Sequence, residues 1–157
     1  MLKLTKKADY GLIALKHLAS LEAPESASAK EIAELYQVPL PLLAKVLQKL
    51  AKQGFLRSEH GTNGGYRLAR EAGKISALEV IRAIDGPIIL TSCFTDHGAC
   101  VQSTYCNVRE PLRKIHEGIQ GLLANISIAD MSDGEVDNPD GRLYSLPRLP
   151  AQPASTV

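Results

Sequence analysis

The segment Ser28–Arg70, SAKEIAELYQVPLPLLAKVLQKLAKQGFLRSEHGTNGGYRLAR, constrains the fold more than any other part of the chain, because proline and glycine cut it into pieces of defined type. Ser28 followed three residues later by Glu31 is a capping-box pattern, so a helix is predicted to start at Ala29. Its apolar residues Ile32, Ala33 and Leu35 share one side, and it stops near Gln37. Val38-Pro39-Leu40-Pro41 forms the turn, since proline lacks an N–H and interrupts one helix yet suits the first turn of the next. A second helix is predicted over 41–52. It buries Leu43, Val46, Leu47 and Leu50 and leaves Leu42, Lys45, Gln48, Lys49 and Lys52 towards the outside. Gly54, which tolerates the left-handed conformation, ends it. Short strands over 55–58 and 66–68 then flank His60-Gly61-Thr62-Asn63-Gly64-Gly65, a turn that needs glycine's positive φ.

Helix, turn, helix and hairpin in this order make a winged helix-turn-helix, so the predicted fold class is mainly α with a small β wing. Such a unit suits double-stranded DNA: the second helix fits the major groove and the wing reaches a neighbouring groove or the backbone. Pro41 and Leu42 offer apolar contacts, for example to thymine methyls. Lys45, Lys49 and Arg57, with Lys6 or Lys7, supply phosphate contacts. His60, Asn63 and Gly64 belong to the wing, whose tip can approach the minor groove. Charge follows the same division. Residues 1–70 hold 11 Lys/Arg against 6 Asp/Glu, whereas 71–157 hold 7 against 11, so the net +1 divides into +5 and −4. A winged helix used only for protein contacts remains the alternative on these grounds.

Before this unit, Thr5 can cap a first helix running to about Leu21, with Ala8, Leu12, Leu15 and Ala19 on one face and Asp9 in its first turn. After it, Ser76 and Glu79 form a second capping box for a helix over 77–84, which ends at Asp85-Gly86-Pro87. Residues 91–106, TSCFTDHGACVQSTYC, hold all three cysteines and show no apolar period. Val108, Leu112, Ile115, Ile119, Leu122 and Ile126 then recur at alternating intervals of four and three, the rhythm of a helix packed along another helix. Gly118 and Gly121, each costing about 1 kcal/mol in a helix, favour a packing reason. A long dimerisation helix over 107–127 is the preferred reading, and a core-facing helix the alternative. Residues 131–157, rich in Asp, Pro, Gly and Ser, are expected to be a disordered tail, which leaves one regulator domain over 1–130.

Cys93, Cys100 and Cys106 are separated by six and five residues. Three thiolates this close can converge on one soft metal centre, either zinc or an iron–sulfur cluster. A thiol switch, and three unrelated small residues, are the competing readings. His97, inside the loop, is a further candidate ligand. The odd cysteine count argues against a disulfide framework. With no signal peptide and no run approaching the ~20 apolar residues of a membrane span, a cytoplasmic address is expected. An enzyme with a cysteine nucleophile would need a base and an oxyanion pocket, and neither is recognisable.

The run GTNGGYRLAR, the helix pair before it, the start LTKKADYGLIAL and the segment ISALEVIRAIDGPI together resemble the winged-helix regulators typified by IscR and NsrR, the Rrf-two family. The resemblance covers residues 1 to about 130. It implies a homodimeric transcription factor with no small-molecule substrate and, in several members, an iron–sulfur cluster (2Fe-2S or 4Fe-4S) held by three cysteines in this loop. IscR-like proteins have a histidine three residues after the third cysteine, where this chain has Arg109. NsrR-like proteins use an acidic residue near the start of the first helix, supplied by the partner subunit, and Asp9 matches that position. The IscR-like pattern also has an acidic residue where Ala44 stands and an arginine where His60 stands, so operator preference does not carry over. The resemblance implies control of cluster assembly genes or of the response to nitric oxide or oxidative stress.

Overall fold

The computed structural model describes residues 3–22, 25–61, 64–94 and 100–132. Asn63, His97 and the segment from 133 onward lie outside the described residues. The elements are α1 (Lys6–Ala19), α2 (Ala29–Leu35), α3 (Leu40–Lys52), β1 (Leu56–Glu59), β2 (Gly65–Leu68), α4 (Ala77–Asp85), α5 (Arg109–Asn125) and α6 (Ile128–Ser132), with single 3-10 turns at Ala72–Lys74 and Ser92–Phe94. The two strands pair antiparallel with Leu56 opposite Leu68 and Glu59 opposite Gly65. The mainly α fold with a small β wing is therefore as expected.

The helix starts follow the capping chemistry. Ser28 and Ser76 each accept from the N–H of the glutamate three residues on, and each glutamate carboxylate accepts from the serine N–H. These bonds stabilise the ionised carboxylates, so Glu31 and Glu79 are held below the ordinary glutamate range. Thr5 caps α1 by accepting from the Ala8 N–H. The ends differ from expectation by one to two residues. α1 stops at Ala19 rather than Leu21 and α2 at Leu35, after which Gln37 adopts a left-handed φ of 54°. The left-handed residue that reverses the chain between α2 and α3 is thus a glutamine, one position before the predicted turn, with its side-chain amide donating to the Glu34 carbonyl. α3 starts at Leu40, with Pro41 in its first turn where no N–H is needed.

The core lies among α1, α2, α3 and α4, with Leu15, Ile32, Leu43, Leu47 and Leu50 all fully buried. The buried face of α1 is Ala8, Gly11, Ala14, Leu15 and Leu18, so it is rotated from the expected line through Leu12 and Ala19, which are half-buried. Gly11 explains the rotation. A Cβ there would lie 2.3 Å from Ile84 Cδ1 and 3.4 Å from Val46 Cγ1, so the missing side chain lets α3 and α4 meet on α1. Asp85, at the end of α4, closes the same corner: its carboxylate accepts from the Thr5 hydroxyl at 2.6 Å and the Thr5 N–H at 3.2 Å. A carboxylate is unfavourable at the C-terminus of its own helix but favourable at the N-terminus of α1.

The long helix is shorter than the predicted span. It ends at Asn125 because the next residues turn extended and pair with the start of α4: the Ala77 N–H donates to the Ile126 carbonyl at 2.8 Å, and the Ile128 N–H to the Ile75 carbonyl at 2.9 Å. Ser127 and Asp130 then form a further reciprocal cap, and α6 carries the fully buried Ile128 and the partly buried Met131 onto the core. α6 runs to Ser132, and the rest of the expected tail lies outside the described residues. No residue of α5 is buried in the single chain, and Val108 and Ile115 are each about half exposed (51% and 52%). No helix of the described residues is long and apolar enough to cross a membrane.

Candidate nucleic-acid interface and cysteine segment

α3 presents the face predicted for it. Leu43, Val46, Leu47 and Leu50 are buried against α1, α2 and α4, while Pro41, Lys45, Gln48, Lys49 and Lys52 are exposed and Leu42 is half-buried. An apolar stripe on one side and three lysines on the other is the arrangement that lets a helix rest on a protein core and face a polyanion. The lysines are not equivalent, however. Lys49 Nζ donates to the Ile84 carbonyl at 2.9 Å, and Gln53 Nε2 to the Ala83 carbonyl at 3.3 Å, so the C-terminal half of α3 is tied to the last carbonyls of α4. Sequence periodicity places Lys49 outside α3 correctly but carries no sign of this engagement, which depends on where α4 comes to rest.

The wing is positioned by its glycines. Ala27, just before α2, forms an isolated antiparallel bridge with Tyr66: the Ala27 N–H donates to the Tyr66 carbonyl at 3.1 Å and the Tyr66 N–H to the Ala27 carbonyl at 2.8 Å. A Cβ on Gly65 would sit 2.6 Å from the Ala27 carbonyl carbon and oxygen, and one on Gly64 would sit 2.8 Å from the Glu59 carbonyl oxygen. Two backbones approach where only glycine fits. The pair Gly64-Gly65 therefore holds the hairpin against the start of the helix-turn-helix as well as shaping the turn. Arg67 pairs with Glu59 across the strands, while Arg57 and His60 are exposed on the hairpin. Arg70 stacks over the Phe55 ring at 4.6 Å and pairs with Glu79, fastening the wing's exit to α4.

Cys93 lies in the 3-10 turn Ser92–Phe94, Cys100 opens a run of turns, and Cys106 precedes α5. All three are free thiols in half-buried positions. Thiolates are the donors that iron–sulfur clusters take, so the chemistry of the set fits such a group. Among the described residues, however, no three His, Cys, Asp or Glu side chains are gathered into a metal-holding arrangement. Asp9 is half-buried in the first turn of α1, beside a recess lined by Lys3, Leu4, Thr5 and Lys6. Phe94, next to Cys93, packs on His116 of α5 with ring centroids 5.3 Å apart. Nothing in the sequence pattern singles out His116. Its signal was weak, a lone histidine on an otherwise amphipathic helix.

A helix pair with a cationic outer face, followed by a hairpin locked beside it, defines a winged helix-turn-helix DNA-binding protein of the transcription-regulator class. The sequence model of the Rrf2 family, described as iron-dependent transcriptional regulator, matches residues 4–134. The chain belongs to that family. Among solved structures it is similar to CymR (YrzC), the global cysteine regulator of B. subtilis, with 27% identity over 84% of this chain and 97% of that one and a TM-score of 0.71. The oxidised form of Staphylococcus aureus CymR matches at 26% identity over 83% and 96%, with a TM-score of 0.67. IscR of T. potens matches at 29% identity over 83% and 85%, with a TM-score of 0.66.

Proposed function

We propose that the protein is a cytoplasmic, homodimeric regulator that reads duplex DNA with α3 and the wing and takes its signal at the three cysteines. The observation that carries the DNA reading is the exposed cationic face of α3 beside a hairpin held in place through Gly65 and Tyr66. Lys45 and Arg57 supply phosphate contacts, which orient the protein without specifying sequence. Pro41 and Leu42 face the major groove, and His60, Asn63 and Gly64 form the wing contact. The half-exposed stripe of α5 supports the dimer, since a single chain leaves Val108 and Ile115 in water.

Cys93, Cys100 and Cys106 would hold an iron–sulfur cluster, with Asp9 of the partner subunit as fourth ligand. When bound, such a group supplies redox and small-oxidant reactivity at the start of α5. The iron-dependent description of the family and the likeness to IscR support this reading. A thiol switch without a cluster is the second reading, favoured by free thiols in a chain similar to CymR.

One preparation separates the two. Protein purified without oxygen should show a visible chromophore with stoichiometric iron and sulfide, which Cys100→Ala abolishes. A colourless protein whose duplex affinity changes on reversible thiol oxidation would instead establish the switch. Binding to duplex should weaken steeply with salt, and a protein that binds no duplex at low salt is not a DNA regulator.

A further inference from the structure

The cysteine segment and the recognition helix are joined by a path of side-chain contacts and the last turn of α4. It begins at Phe94, beside Cys93, stacked on His116. One turn along α5, the Gln120 amide donates to His116 Nε2 at 2.7 Å. An amide NH2 can only donate, so His116 Nε2 stands as its acceptor. The other end of the same amide faces α4, where Gln120 Oε1 accepts from Arg82 Nη2 at 2.9 Å. From there the C-terminal turn of α4 reaches α3, through Ala83 and Ile84, whose carbonyls accept from Gln53 and Lys49. The adjoining Gly86, at φ 87°, opens the strand of chain that leads back to Cys93.

We infer that this path couples the state of the cysteine segment to the placement of α3, and that Lys49 is a positioning residue of the coupling rather than a phosphate contact. The last carbonyls of a helix lack intrahelical partners and carry the negative end of its dipole, so a lysine ammonium is well matched to them. Because Lys49 and Gln53 lie one turn apart on the same face of α3, a shift of the α4 terminus moves the recognition helix as a unit. Gln120 is the hinge of the path, since one amide serves both His116 and Arg82 and cannot turn without releasing one of them.

The DNA part of the test rests on the proposed DNA reading; a second part is independent of it. Lys45→Ala should reduce the slope of log affinity against log salt by about 0.9, the loss of one phosphate contact. Lys49→Met should weaken binding roughly fivefold, as for a net hydrogen bond of ordinary strength, and leave the slope unchanged. A slope reduced by about 0.9 in Lys49→Met overturns the assignment. In the free full-length protein, alkylating the cysteines with iodoacetamide should alter amide hydrogen exchange in residues 45–53. Gln120→Ala and Lys49→Met should each remove that response while the change at residues 91–106 persists. Gln120→Leu, which keeps the helix-compatible length, serves where the alanine variant is unstable. An alkylated parent with unchanged exchange in α3, or variants that respond as the parent does, refutes the coupling. If the parent binds no duplex, the DNA reading fails by itself and the exchange comparison still decides the coupling.

Discussion

Gly65→Ala tests how the wing is held. The added methyl would lie 2.6 Å from the Ala27 carbonyl carbon and oxygen and 2.9 Å from the Ser28 N. These are backbone atoms at the start of a capped helix, so they cannot swing aside as a flexible side chain would. Relief requires β2 to move away from residues 27–28, which lengthens or breaks both hydrogen bonds between Ala27 and Tyr66. Each is worth about 1 kcal/mol net, so their loss costs about 2 kcal/mol. Strand glycine is itself about 0.5–1 kcal/mol less favourable than alanine, which offsets part of that, for a net destabilisation of about 1–1.5 kcal/mol. For a folded unit of this size the melting temperature should fall by about 3–6 °C. The displaced wing should also lower duplex affinity by more than stability alone would, because Arg57 and His60 move with it. Thermal unfolding followed by circular dichroism, with duplex binding measured well below the transition, provides the assay. A variant that melts within a degree of the parent and binds DNA equally would show that the hairpin is not fastened through this contact.

Ile115→Asp separates a dimer seam from an intrachain role of α5. Because Ile115 is 52% exposed in the single chain, the carboxylate costs the protomer little, whereas burying it unpaired in a seam costs about 2–4 kcal/mol, so sedimentation should show at least a tenfold weaker dimer; an unchanged dimer removes α5 from the interface. Glu79 is held below the ordinary glutamate range by its bonds to Ser76 and Arg70. A depressed folded pKa contributes stability that is present above the unfolded value of about 4.3 and lost as pH falls through the folded value. Glu79→Gln should therefore lower the melting temperature at pH 7 and flatten its decline between about pH 5 and pH 3; parallel curves for variant and parent would rule out this source of acid sensitivity.

Local chemistry was legible in the residues alone. Ser28 with Glu31 and Ser76 with Glu79 form their caps within four consecutive residues, so the helix starts could be placed to the residue. The buried face of α3 followed from its period, because one strongly amphipathic helix has only one way to lie on a core. Ser127 with Asp130 obeys the same rule but is masked in the sequence, because it follows directly on the heptad rhythm of the long helix. Tertiary structure decided the rest. Only the arrival of Ile84 makes Gly11 a contact point and rotates α1, and only the pairing of residues 75–77 with 126–128 ends α5 at Asn125. Lys45 and Lys49 are the same residue type one turn apart on an exposed face, and nothing local distinguishes them. What separates them is the open C-terminus of α4, thirty-five residues further along the chain, whose unpaired carbonyls lie within reach of Lys49.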